Sequence, residues 1–194
     1  MTHIDQIVGG IYRISTMPKD SPVGFNQFLI DDEQPALIHT GMAPMYADVC
    51  KAIGRVLDPS RLAYIILLHF EGDECGGMDV HHWDSMMLWE EKTSSLFPAD
   101  LFIQPGDQPP VIHENISSAM CELYRYAGIF AHEDPVRRVV DRVERMKPEW
   151  VHAMHGGTLT GKIFPSFTRA LRDQPFAYRG ELLGRTLATE QAFA

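Results

Sequence analysis

The chain has 194 residues, a formal net charge of -9 and a sequence pI near 5.4, a length that buries one substantial core and leaves any second domain small. That acidity argues against nucleic acid or an anionic membrane as the main partner, because backbone phosphates and lipid headgroups would repel it. No apolar run approaches the roughly 20 residues needed to cross a bilayer, and Met1-Thr2-His3-Ile4-Asp5 lacks a basic region followed by an apolar one, so a cytoplasmic protein is expected.

Taken in order, Ile7 to Ile14 alternates and reads as an edge strand before the Met17-Pro18 break. Phe25 to Ile30 and Ala36 to Thr40 then form a hairpin around the turn Asp31 to Pro35. Met45, Val49, Ala52, Ile53, Val56 and Leu57 recur at helical spacing until Asp58-Pro59 ends the helix. Leu62 to Leu68 follows as an unbroken apolar run, the pattern of a buried strand, and it stops at His69, Glu71, Asp73 and Glu74. Four such groups would repel one another or resist desolvation if left alone, so a bound cation is their natural stabiliser. His69, Glu71 and Asp73 alternate, which puts them on one side of an extended chain, and the glycines among them allow a tight turn. The competing reading is a solvated acidic loop with a stray histidine. Strand, strand, helix, strand is an α/β order, and the cluster sits at a strand's carboxyl end, where such folds place ligands.

Ser85 to Trp89 and Ser94 to Phe97 read as two more strands around Glu90-Glu91-Lys92, with His81-His82-Trp83-Asp84 before the first and Pro98-Ala99-Asp100 after the second. Gln104 to Pro110 is a Pro/Gly loop. Glu114 to Ala127 and Pro135 to Met146 are expected to be helical, the second with Val136, Val139, Val140 and Val143 inward. Trp150 to Met154 is a last strand, His155-Gly156-Gly157 ends it, Ile163 to Leu171 is a closing helix, and the tail after Gly184 is expected to be loose. Cys50, Cys75 and Cys121 are odd in number and lack CxxC spacing, which weighs against a disulfide scaffold and a thiolate zinc site; Cys75 reads as packing. His3, His113 and His132 are expected at the surface, and His152 in the core or behind a ligand. Met86, Met87 and Met154 read as core filler or as the wall of a small-molecule pocket.

His69-Phe70-Glu71-Gly72-Asp73, His81-His82-Trp83-Asp84-Ser85, Leu96-Phe97-Pro98-Ala99-Asp100 and Met154-His155-Gly156 together resemble the metal signature of the metallo-β-lactamase fold. More narrowly they resemble its diiron branch, the flavodiiron and oxygen-binding diiron proteins, because Glu71 stands where zinc hydrolases of the superfamily carry a second histidine in His-x-His-x-Asp-His. The resemblance implies an α/β fold, a metallo-β-lactamase-like αββα sandwich in a single domain over residues 1–184, with a tail at 185–194. It implies one iron on His69, Glu71 and His81, a second on Asp73 and His155, and Asp100 bridging both. Glu74 replaces a histidine common in the family and is either a further ligand or the mark of an open position. The family register selects His81 over His82, which then lies in the pocket or behind a ligand, as does His39, where relatives commonly carry Asp. Imidazole with several carboxylate oxygens suits iron or manganese, and zinc could substitute. Only Met78-Asp79-Val80 separates Gly77 from His81, far less than in the family, and an interruption of the chain there is favoured over a true shortening, since losing a layer should expose core.

The function implied is binding, and with it reduction, of O2 or NO. Nothing after Gly184 could be a flavodoxin-like domain, so electrons would come from a separate flavoprotein or rubredoxin-like donor, and a homodimer is expected from the family. The alternatives are a diiron oxygen sensor without turnover and a metal-dependent hydrolase acting through a bridging hydroxide, against which Glu71 argues.

Overall fold

A computed structural model describes residues 2–19, 21–70, 82–130 and 132–177. Strands β1 (Thr2–Val8) and β2 (Ile11–Thr16) form an antiparallel hairpin where a single strand over Ile7 to Ile14 is expected. Gly9-Gly10 makes the turn: Gly9 has φ +53°, and a Cβ on Gly10 would stand 2.3 Å from the Asp31 carbonyl oxygen. The hairpin of β3 (Phe25–Ile30) and β4 (Ala36–Ile38) is as expected. Helix α1 (Tyr46–Ile53) is shorter than its apolar pattern, because Gly54 ends it and Val56 and Leu57 pack from the following turn. The chain then returns as β5 (Tyr64–Ile66), parallel to β4, completing a sheet in the order β1-β2-β3-β4-β5.

The run from Leu62 to Leu68 does not form the buried strand its composition suggests. Its strand is the sheet's edge, with Tyr64 54% and Ile65 50% exposed, and only Leu67 and Leu68 beyond it enter the core. The segment Ser85 to Trp89 is likewise not continuous. β6 (His69–Phe70) pairs with β7 (His82–Ser85), and after Met86-Met87 a new strand, β8 (Leu88–Glu90), pairs with β9 (Ser95–Phe97). Met86 and Met87 at this break are exposed rather than core filler, whereas Met154 is buried.

The second sheet has the order β10-β12-β11-β9-β8, where β10 (Val111–Ile112) and β12 (Thr158–Thr160) are short strands in stretches to which the sequence pattern assigns no element. β11 (Trp150–Val151) is parallel to β9, the His152 amide still donates to the Leu96 carbonyl at 2.8 Å, and Ala153 and Met154 beyond it build a loop in place of the strand expected through Met154. Helices α2 (Ser117–Ala127), α3 (Glu133–Met146) and α4 (Phe164–Asp173) cover this sheet.

Strand alternation yields the layers. From β2 and β3, Tyr12, Ile14, Phe25 and Leu29 face α1, while Ile11, Phe28 and Ile30 face Phe97 of the other sheet. From β9 and β11, Leu96 and Val151 point the other way and join Val140 of α3 and Phe167 of α4. The order is helix, sheet, sheet, helices, with each fully buried Leu, Ile or Phe contributing roughly 1.5–3 kcal/mol. Across α3 and α4, Arg172 reaches Asp141 at 2.8 Å and also pairs with Glu144.

Candidate metal centre

Parallel pairing of β9 with β11, Trp150 beside Ser95 and Val151 beside Leu96, sends both carboxyl ends to one edge of the sandwich. The loops that leave there carry Asp100 and His155. β4 and β5 are also parallel, so His39 and the backbone of His69 follow strands that end together. The His39 amide donates to the Ile66 carbonyl at 2.9 Å, and His39 is fully buried at φ 63°. β3 begins where β4 ends, and its first residues reach across to the second sheet.

That reach fixes the histidine loop. The backbone amide of Asn26 donates to the Met154 carbonyl at 2.8 Å, and its side-chain Nδ2 donates to the carbonyls of Ala153 at 3.0 Å and Gly156 at 2.8 Å. Arg13 on β2 donates through Nη1 to the Gly156 carbonyl at 3.1 Å and the Pro109 carbonyl at 2.9 Å. Burial pulls the Arg13 guanidinium below its ordinary pKa, an effect that Asp5 and Asp107 oppose. From the far side the Gln104 amide donates to the His155 carbonyl at 3.0 Å, and Gln104 Oε1 accepts from the Gly157 amide at 2.8 Å. Gly156 has φ +97° and lies so close that a Cβ would stand 2.4 Å from Gln104 Oε1, so glycine is required here.

The imidazole is oriented as tightly as its backbone. Nδ1 of His155 lies 2.8 Å from the Gly24 carbonyl, which can only accept, so Nδ1 carries the proton of that bond. The ring of Phe25 stands perpendicular to that of His155, with the centroids 4.9 Å apart. Nε2 is thereby directed at Asp100, with Oδ1 3.6 Å away. Asp100 sits on a loop whose neighbours Ala99 and Phe102 take left-handed φ values of 52° and 72°. The buried Tyr124 hydroxyl on α2 holds that loop, donating to the Asp100 carbonyl at 3.1 Å while accepting from the Phe102 amide. Burial pushes the Tyr124 phenol well above its ordinary range, so the proton needed for donation stays in place.

His152 is a core residue. Its ring stacks on Phe97 at 4.6 Å and lies 3.1 Å from both Thr158 Oγ1 and Ser95 Oγ, and burial lowers its pKa to about 3, which keeps it neutral. His3, His113 and His132 are exposed, as expected. Among the ligand candidates the structure brings together Asp100 and His155. The backbones of His69 and His82 lie on the paired strands β6 and β7, His69 opposite Ser85 and Phe70 opposite His82. Glu71, Asp73, Glu74 and His81 lie outside the described residues, among which no group of three or more His, Cys, Asp or Glu converges. Among the described residues no helix is long and apolar enough to cross a membrane.

Sequence reading missed the residues that position the pair: Asn26, Arg13, Gln104 and Tyr124. Asn26 and Arg13 do leave a trace, since each is a polar residue at an inward position beside large apolar neighbours of its strand. Tyr124 leaves none, being one apolar position among others on α2.

No family model and no curated protein matches the sequence. Among solved structures, the chain is similar to rubredoxin oxygen:oxidoreductase from Desulfovibrio gigas, with a TM-score of 0.73, 15% identity and coverage of 89% of this chain and 62% of that one. It is similar to the flavodiiron protein from Giardia intestinalis, with a TM-score of 0.73, 14% identity and coverage of 88% and 58%. A peroxy diiron species of the chemotaxis sensor ODP aligns with a TM-score of 0.71 at 14% identity over 95% of this chain and 99% of that one. The chain therefore spans about three fifths of the length of the first two chains and nearly all of the sensor. Likeness at this level of identity establishes architecture: the chain has the metallo-β-lactamase-like fold shared by flavodiiron proteins and the ODP sensor.

Proposed function

We propose that the chain is a non-haem diiron protein that binds O2 or NO and reduces it with electrons from a separate flavoprotein or rubredoxin-like donor. The observation that carries this reading is the geometry of His155 and Asp100. A separation of 3.6 Å between Nε2 and Oδ1 is too long for a hydrogen bond, yet it suits two atoms that share one cation. Nδ1 donating to the Gly24 carbonyl makes Nε2 the nitrogen that would coordinate, the usual arrangement behind a metal-ligating histidine.

In this reading His69, Glu71 and His81 would hold one iron, Asp73 and His155 would hold the second, and Asp100 would serve both, with Glu74 either a further carboxylate ligand or the mark of an open position. Iron so held would supply redox capacity and open positions for a diatomic ligand. The protein's own part is placement. Gly24 and Phe25 fix the plane of His155, Asn26, Arg13 and Gln104 hold its loop, and Tyr124 holds the loop of Asp100. Support also comes from the names of the neighbours, an oxygen oxidoreductase and a peroxy diiron sensor. A cytoplasmic homodimer is the proposed working form.

A second reading, an oxygen sensor without turnover, is favoured by the alignment over 99% of the sensor's length. Steady-state consumption of O2 and NO with an artificial electron donor separates the two: turnover supports the reductase, and binding without consumption supports the sensor. Metal analysis of protein from iron-replete cells should give about two irons per chain. A zinc-loaded form that rapidly hydrolyses esters or lactams, beside an iron-loaded form inert to both gases, would overturn the diiron reading.

A further inference from the structure

Helix α3 presents an arginine stripe that makes no ion pair among the described residues. Arg138, Arg142 and Arg145 stand at i, i+4 and i+7, hence on one helical face, and all three are exposed. The acidic side chains of the same helix have other partners: Asp141 and Glu144 pair with Arg172 of α4, Asp134 lies 3.9 Å from Arg137, and Glu133 accepts from the Ala177 amide. Among the described residues none of the three arginines forms an ion pair. Three adjacent cations left to solvent are unexpected in a chain of net charge -9.

Beside the stripe runs an apolar groove of about 430 Å³ between β8 and α3, lined by Met87, Trp89, Leu96, Val139, Arg142 and Met146 among others. Met87 is 39% and Met146 41% exposed at its rim, so two large apolar side chains and a tryptophan face water next to three cations. Arginine, methionine and tryptophan are the residues enriched where protein interfaces close, with flexible methionines adapting to a partner and arginines supplying bidentate contacts to carboxylates.

We propose that the groove between β8 and α3 is a docking surface for an acidic protein segment, whose apolar side chain enters beside Trp89 while its carboxylates pair with Arg138, Arg142 and Arg145. The stripe sets the sign of the partner's charge. The groove selects a polypeptide over a nucleic acid, because its apolar lining takes an aliphatic side chain, which a sugar-phosphate backbone does not carry. The surface connects to the candidate centre through the fold, since Leu96 of the groove floor lies on β9, four residues before Asp100. The proposal stands on its own surface and does not require the metal reading.

The test uses full-length protein and a fluorescein-labelled, glutamate-rich peptide with a central Leu-Leu pair, followed by anisotropy. Binding should weaken about tenfold or more between about 50 mM and about 500 mM salt. The double variant R138E/R142E should lose about tenfold or more in affinity, and M146S should weaken binding several-fold. R55E, an exposed arginine beyond α1, should leave affinity unchanged, with equal unfolding midpoints showing that all variants are folded. Equal binding by R138E/R142E, equal binding of a lysine-rich peptide of the same design, or preference for single-stranded DNA would overturn the proposal. So would a wild-type dimer that R138E/R142E dissociates, since the occupant would then be a second copy of the chain.

Discussion

The Tyr124 hydroxyl donates to the Asp100 carbonyl at 3.1 Å and accepts from the Phe102 amide, so one buried side chain on α2 closes the loop that presents the candidate bridging carboxylate. Tyr124→Phe keeps the ring and its packing while leaving a buried amide and carbonyl without their partner. The expected cost is about 1–3 kcal/mol of stability, together with loss of bound iron, read by chemical denaturation and metal analysis. Unchanged stability and metal content would show that the loop holds itself.

Single replacement of His69, Asp100 or His155 with Ala should remove about half or more of the bound metal, because each would supply a direct bond and Asp100 would touch both ions. His82→Ala should retain near-normal metal. If His82→Ala loses iron while His81→Ala keeps it, the register of the histidine pair is the reverse of the one proposed.

Gly156→Ala places a methyl group 2.4 Å from Gln104 Oε1 at a backbone φ of +97°. Both the clash and the left-handed conformation oppose it, so a loss of about 2 kcal/mol or more is expected, accompanied by displacement of the His155 ring and weaker metal retention. A variant as stable and as metal-rich as the wild type would show that the loop can move aside.

The buried His152, with its pKa lowered to about 3, makes stability depend on pH. Between that value and its ordinary pKa the unfolded chain binds a proton that the folded chain does not, so stability rises with pH. The contribution is whole above about pH 6.5 and is lost below it at up to about 1.4 kcal/mol per unit. His152→Gln should flatten the slope of unfolding free energy between about pH 6 and about pH 4 relative to the wild type. Parallel slopes for the two proteins would mean that other groups carry the acid sensitivity.

Much of the architecture was legible because it is written in local patterns. The hairpin around Asp31 to Pro35 and the inward valines of α3 follow from periodicity and turn chemistry. Burial was less legible. The apolar run at Tyr64 and Ile65 proved to be an exposed edge, because hydrophobicity shows that a residue can be buried and only the neighbouring layer decides whether it is.

By itself the sequence determined the residue types of the candidate centre and their order along the chain, and it put Asp100 and His155 beyond strand ends, since a strand's stop signal and a ligand's chemistry both reside in the residue itself. Only the tertiary structure decided that Asp100 and His155 meet, because that depends on the parallel pairing of β9 with β11 across more than fifty intervening residues. It alone revealed Asn26, Arg13, Gln104 and Tyr124 as the residues that hold them. Those side chains act on the backbone carbonyls and amides of distant loops, and backbone groups, alike in nearly every residue, leave no mark in the order of amino acids.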